Sequence, residues 1–428
     1  MRPMGAIATN LRSILPVAAV AVFCVWVFSQ FLYRFAHGGP YDLVTAWRYV
    51  SGFTIYMIAP WAVTLFIALC GYILGRFFFA LILKNFKFHD NLEETIFCIG
   101  TGLGLITIIT FLLGLMKLLY PALFLALAIF TCGLGYRHIV NLYKTTWTGI
   151  KSFRCDFLDG ILLLLASSFI LNTFFIPNNP STGFDPINSH LCAPKYYLRD
   201  NAITFFPWIN FNNFPQVQEM LLTLEMMVHP DPGSSMMFFY MVITAFAVYM
   251  IGSRYFGRTV GLMSAVFFLS IENVYLSSIR AFVENIMGFY VVLLIHAFLR
   301  WHERRDIRWA VITGIIGGLA CGVKYTSAVS VLVILILMAL ARFLPMKKSE
   351  LDLLGTEFRE PEKEPEKSRG VKKKKKAEIK PNIAQSRNSI PVTIEPEKPP
   401  DVHPGGIGKS LWLAFIWTVL IASPWYLR

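Results

Sequence analysis

Long apolar runs recur from one end of the chain to the other, separated by short polar turns. Runs at 14–33, 54–75, 95–116, 118–136, 158–176, 234–252, 258–276, 281–299, 309–323, 326–344 and 410–426 each approach the roughly 20 residues that an α-helix needs to cross a bilayer. The pattern predicts an all-α integral membrane protein of about 11 transmembrane helices. Two stretches break the alternation. The first, about 177–233, is a long polar and aromatic loop; the second, 347–409, is charged and Pro-rich, has almost nothing to bury, and reads as a disordered linker. The organisation expected is therefore a polytopic module over 1–346, a basic linker over 347–409 and a final helix over 410–428.

Composition changes the picture only in detail. Of the 428 residues 55% are hydrophobic and 15% charged, well below the roughly 25% charge of soluble proteins, which excludes a water-soluble enzyme. The formal charge of +13 reports orientation before it reports a partner, and nucleic acid is not expected. Arg137, Lys144, Lys151 and Arg154 fall in one connection, and Arg300, Arg304, Arg305 and Arg308 in another. Together with the linker, which holds Lys372 to Lys376, they place the N-terminus and 347–409 in the cytoplasm. The 177–233 loop then lies outside. The linker lysines are read foremost as a solvated charge run, with anionic headgroups the alternative. The seven cysteines form no C-x-x-C pair and are read as small buried hydrophobes.

Within the outer loop, Asp185 precedes Pro186 as an N-cap precedes Pro at N1, and Ile187, Leu191, Pro194 and Leu198 follow at helical spacing. A second stripe, Val217, Leu221, Leu224 and Val228, opens after Pro215. Both predict amphipathic helices lying along the membrane surface, with Tyr196, Tyr197, Phe205, Phe206 and Trp208 at headgroup level. Gly100-Thr101-Gly102-Leu103-Gly104 sits inside an apolar run and is read as helix packing, not as a dinucleotide fingerprint.

Phe184-Asp185, Ser189-His190-Leu191, Pro194-Lys195-Tyr196-Tyr197-Leu198, Phe214-Pro215-Gln216 with Glu219, Gly322-Val323-Lys324-Tyr325-Thr326 and the final Ser423-Pro424-Trp425-Tyr426 resemble, in that order, the GT-C superfamily of polytopic glycosyltransferases. The resemblance is to bacterial relatives of the dolichyl-phosphate-mannose protein mannosyltransferases and of the lipid A aminoarabinose transferases. It implies an inverting enzyme that moves a sugar from a polyprenyl-phosphate donor to a lipid, glycan or protein acceptor at the outer face of a bacterial plasma membrane. Asp185 takes the family's catalytic acidic position. Such a site also needs cations for the leaving phosphate, because negative charge builds there in the transition state. Arg280 and Lys324 are the first candidates, Lys195 and Arg199 the next.

His190, Gln216, Glu219, Glu284 and Tyr325 are acceptor-binding or supporting candidates, each with a structural alternative. His190 can orient a neighbour, Glu219 can serve the helix dipole, and Arg280 and Glu284, four apart, can pair with each other. Lys324 can snorkel to the surface. No spacing supports a dedicated metal, and no cofactor is expected, although a divalent ion is used by some members of the superfamily. The mannosyltransferases carry an aspartate-glutamate pair where Pro186 follows Asp185 here. Relatives also continue beyond the last helix, so the chain is read as truncated, split into two chains or a non-catalytic remnant. Two other readings stand beside the enzyme: a transporter or flippase of lipid-linked sugars, which should show mid-membrane charges and inverted repeats, and an inactive membrane scaffold.

Overall fold

The computed structural model describes residues 43–84, 86–153, 155–174, 176, 184, 186–209, 213–229, 234–341, 343 and 405–427. Among them there is no strand. The helices are α1 (Leu43–Ile82), α2 (Asn91–Leu115), α3 (Pro121–Leu134), α4 (Tyr136–Ser152) and α5 (Phe157–Phe174), then a π-helical turn (Pro186–His190), α6 (Cys192–Asp200) and α7 (Val217–Met226). After these come α8 (Ser235–Phe256), α9 (Arg258–Ser270), α10 (Glu272–Ser278), α11 (Glu284–Arg304), α12 (Ile307–Val323), α13 (Ser327–Leu340) and α14 (Gly405–Tyr426). The run at 14–33 and the 347–404 part of the linker lie outside the described residues.

A helix stands at each of the ten other predicted spans. Among the described residues, five are long and apolar enough to cross a membrane, or seven if two bent pairs each count as one. The pairs are α3 with α4, bent by 65°, and α9 with α10, bent by 67°. The remainder fall short for identifiable reasons. Helices α12 and α13 have only 17 and 14 residues, and α11 carries Glu284, Arg300, Glu303 and Arg304 within its length.

Close approach of the helices rests on glycine. Gly71 and Gly75 of α1 face Gly102 and Cys98 of α2 so closely that a Cβ at Gly75 or Gly102 would overlap the opposing backbone. Gly100 and Gly104 receive Phe289 and Leu319. The 100–104 run is thus a packing seam, as read from the sequence. Where lipid is as apolar as leucine, such contact has to come from van der Waals fit, which small residues permit. The same device seats α14, remote in sequence, along α12: Gly314 meets Ala414, Gly318 meets Ile421 and Gly322 meets Trp425.

At the end where α2 and α12 begin and α11 ends, charge is buried instead. Glu93 Oε1 lies 2.7 Å from His296 Nε2 and 2.9 Å from Arg300 Nε, while Arg300 Nη1 donates to Glu303 over 2.7 Å. Arg254 of α8 reaches the same Glu303 at 3.1 Å. Arg300, expected in an aqueous connection, is therefore a fully buried part of α11 whose charge is met by two acids. Nearby, Arg258 pairs with Asp159 at 2.5 Å and with Asp156 at 3.3 Å, joining α9 to α5. The basic connection 137–154 also differs from expectation, since most of it is helix α4.

Adding a methyl at the α1–α2 seam should force those helices apart. Gly102→Ala is expected to lower the melting temperature of the detergent-solubilised protein, at a cost of about 1–3 kcal/mol for overpacking. Gly133→Ala on α3, where a Cβ would meet nothing within 4 Å, should be neutral or slightly stabilising. Equal melting of the two variants in a fluorescence-detected thermal unfolding series would contradict the seam.

Candidate functional site

The candidate residues gather at the opposite end of the bundle from Glu93. The expected first surface helix is broken there. Pro194 has no N–H to give to an i−4 carbonyl, so it is tolerated only in a first turn, and α6 starts afresh at Cys192. The chain before it winds as a π turn closed by Leu191 N–H donating to Pro186 C=O at 2.9 Å. The predicted stripe shifts accordingly. Leu191 and Pro194 are buried, but Ile187 is exposed, and Tyr197 takes the fully buried place expected of Leu198. The aromatic belt divides in the same way: Phe206 packs inward, while Phe205 and Trp208 remain exposed.

The second expected surface helix, α7, is not on the surface at all. Every one of its ten residues is buried. It runs against α2 and α6 and reaches α1 and α12, so both its apolar stripe and its polar side chains face protein. Those polar side chains are individually partnered. Glu219 Oε1 lies 2.6 Å from His190 Nδ1. Tyr197 donates its hydroxyl to Gln216 Oε1 at 2.9 Å, just before α7. Gln218 donates its amide to the Ala281 carbonyl at 2.6 Å, which ties α7 to the turn carrying Arg280.

The cations are not equivalent. Lys324, extended at the end of α12, pairs with Glu284 at 3.2 Å, so the expected Arg280–Glu284 pair does not form. Arg199 is exposed and held by its neighbour Asp200 at 2.7 Å while it stacks over Tyr196. Lys195 is exposed. Arg280 is half-buried over the ring of Phe282, and no acid among the described residues pairs with it. Tyr325 is exposed and meets Phe214 edge-on, with ring centroids 5.5 Å apart. Asp185 lies outside the described residues. Among the described residues no group of three or more His, Cys, Asp or Glu could hold a metal ion.

Residues 218–355, less than half of the chain, match the family model described as dolichyl-phosphate-mannose-protein mannosyltransferase. The match supports a membrane glycosyltransferase of the GT-C type. No curated protein and no solved structure matches the chain. The matched segment begins at Gln218 in the first turn of α7 and takes in Glu219, Arg280, Glu284, Lys324 and Tyr325. Asp185, His190, Lys195, Arg199 and Gln216 precede it.

Two polar residues of this end were not singled out by sequence reasoning, Gln218 and Glu225, and Tyr197 was read there only as a headgroup-level aromatic and part of a family motif. Glu225 is the most unusual, a fully buried carboxyl that accepts from Thr64 of α1 and from Ser235 of α8, the latter at 3.1 Å. An acid inside the apolar run Leu221 to Met227 was the available signal. Its other oxygen has no partner among the described residues, and burial pushes the carboxyl up to about 7.

A carboxyl whose folded pKa is raised binds its proton more tightly folded than unfolded. Its stabilising effect is complete below the ordinary value near 4.5 and is lost as pH rises through about 7. Wild-type protein in detergent should therefore melt at progressively lower temperature from pH 5 to pH 8, and Glu225→Gln, which mimics the neutral acid, should flatten that dependence. Parallel melting curves for the two proteins across that range would exclude a protonated Glu225.

Proposed function

We propose that this glycosyltransferase takes its sugar from a polyprenyl-phosphate donor and passes it to a lipid, glycan or protein acceptor at the non-cytoplasmic face of a bacterial plasma membrane. The observation that carries the proposal is the contact between His190 and Glu219, 29 positions apart. It brings the segment that resembles a GT-C outer loop against the segment that the family model matches, and beside it the Tyr197–Gln216 bond ties that loop to the residue before α7. Residues that serve only as separate helix caps and surface charges have no reason to converge in this way.

In this reading Asp185 takes the proton of the acceptor hydroxyl while that oxygen attacks the anomeric carbon. The bond from that carbon to the donor phosphate oxygen breaks, its electron pair leaves with the polyprenyl phosphate, and the configuration inverts. Arg280, unpaired with any described acid, is assigned to the departing phosphate. Lys324, already held by Glu284, supports that side of the site through the α11–α12 pairing instead of serving as a second free cation. His190 and Glu219 shape the acceptor side, and apolar helix faces receive the isoprenoid tail. The domain organisation belongs to the same proposal: α14 completes the module from beyond a basic cytoplasmic linker that ends at 404, because α14 begins at Gly405, and not at 409 as expected from the sequence.

Sugar transfer should be measured in membranes holding equal amounts of wild type, Asp185→Asn and Arg280→Gln, supplied with a panel of labelled polyprenyl-phosphate sugars and native envelope acceptors. Loss of the base should cost about 10² to 10⁴ in rate. Arg280→Gln should lose rate with the same donor, and Arg280→Lys should recover part of it. Undiminished transfer by Asp185→Asn would remove Asp185 from the mechanism, and undiminished transfer by Arg280→Gln would remove the phosphate assignment.

A further inference from the structure

Among the described helices, α4 stands out by carrying three exposed cations and no acid along its 17 residues. It follows the 14-residue apolar helix α3 after Gly135 alone and turns away by 65°. One face is spoken for: Ile139 and Leu142 pack on the core, and His138 meets Phe77 of α1 edge-on at 5.3 Å. A second face is an exposed apolar stripe of Tyr136, Val140, Tyr143, Trp147 and Ile150, spaced 4, 3, 4 and 3 and therefore aligned along the helix. Directly beside it run Arg137, Lys144 and Lys151 at heptad spacing, all exposed. The two rows touch. Lys151 Nζ sits 5.0 Å from the centre of the Trp147 ring, and Trp147 lies parallel to Tyr143 with centroids 6.4 Å apart.

We propose that α4 lies in the headgroup layer of an anionic phospholipid leaflet, its aromatic stripe among the upper acyl carbons and its cationic row on lipid phosphates. A spanning helix that faces lipid all round gains nothing from a row of cations. A helix turned into the interface gains on both counts, since tyrosine and tryptophan favour that depth and lysine or arginine beside them reach phosphate. The absence of any acid removes the internal partners that such cations would otherwise take. Direct continuity with α3 holds the helix at the surface, whatever the bilayer composition, so the charge row selects among lipids without having to anchor the protein.

The test uses Trp147 as the reporter. Full-length wild type and Trp147→Phe are reconstituted in phosphatidylcholine containing either brominated phosphatidylcholine or brominated phosphatidylglycerol, and the difference in their quenching isolates Trp147 from the other nine tryptophans. At low salt the anionic lipid is expected to occupy the site with about fivefold preference or more, the equivalent of one cation near an anionic surface, and the preference should shrink at high salt. The triple variant Arg137→Gln, Lys144→Gln, Lys151→Gln should quench equally with both lipids. Equal quenching of wild type by the two lipids would overturn the proposal, as would no quenching by either, which would put water or another protein against the stripe. A preference that survives in the triple variant would overturn the role of the cationic row.

Discussion

A carboxylate that cannot reach water must be answered by the protein, and Glu93 at the start of α2 is where that demand organises the bundle. Its Oε1 takes both His296 and Arg300 from α11. Arg300 in turn needs Glu303, and Glu303 draws in Arg254 from α8. Three helices far apart in sequence are held by one chain of charges in which each member is neutralised only when the others are present. Removing one partner of such a pair generally costs more than the pair itself contributes, because a bare charge is left buried. The network therefore acts less as an attraction than as a condition on which packings are allowed. Arg300 adds a face-on approach to Trp309 of α12, which brings the fourth helix of that end into the same condition.

The other end obeys the same rule with shorter reach. Helix α7 is buried on every side yet carries Gln218, Glu219, Thr223 and Glu225. It is admissible because each of these side chains meets at least one partner: Gln218 the turn before α11, Glu219 the π turn, Thr223 the Glu219 carbonyl, and Glu225 the hydroxyls of α1 and α8. In meeting them, α7 becomes the piece against which the outer loop and the α11 turn are set. The positions proposed for chemistry are thus located by residues whose immediate business is satisfying buried hydrogen bonds. Glu225 stands slightly apart, a buried acid set among hydroxyls instead of cations.

What could be read from the chain alone was the consequence of rules that act locally. Bilayers demand internally bonded backbone over a fixed thickness, so apolar runs such as 95–116 and 234–252 announce helices whatever surrounds them. The likeness to the GT-C superfamily marks His190, Gln216, Glu219 and Lys324 as candidates, and the cost of an unpaired carboxylate in an apolar run marks Glu284. The glycines at 100–104 are recognisable as a seam because small residues within an apolar run have few other uses.

Pairings and orientation were decided only by the tertiary structure, because they depend on partners 29 to 203 positions away. An apolar stripe with polar edges looks the same whether it lies on lipid or is enclosed by helices, so α7 was assigned to the surface and is buried, while α4 was passed over as a basic connection and is an amphipathic helix. Likewise Glu284 had a cation four positions away in Arg280 and took one forty positions away in Lys324, since α11 begins only at Glu284 and leaves Arg280 in the preceding turn. The sequence determined which long apolar segments are helical, because that follows from local composition, and its likeness to a known family named the candidate residues. Which face each helix shows, and which acid each base finds, follow from packing distances that no local pattern contains.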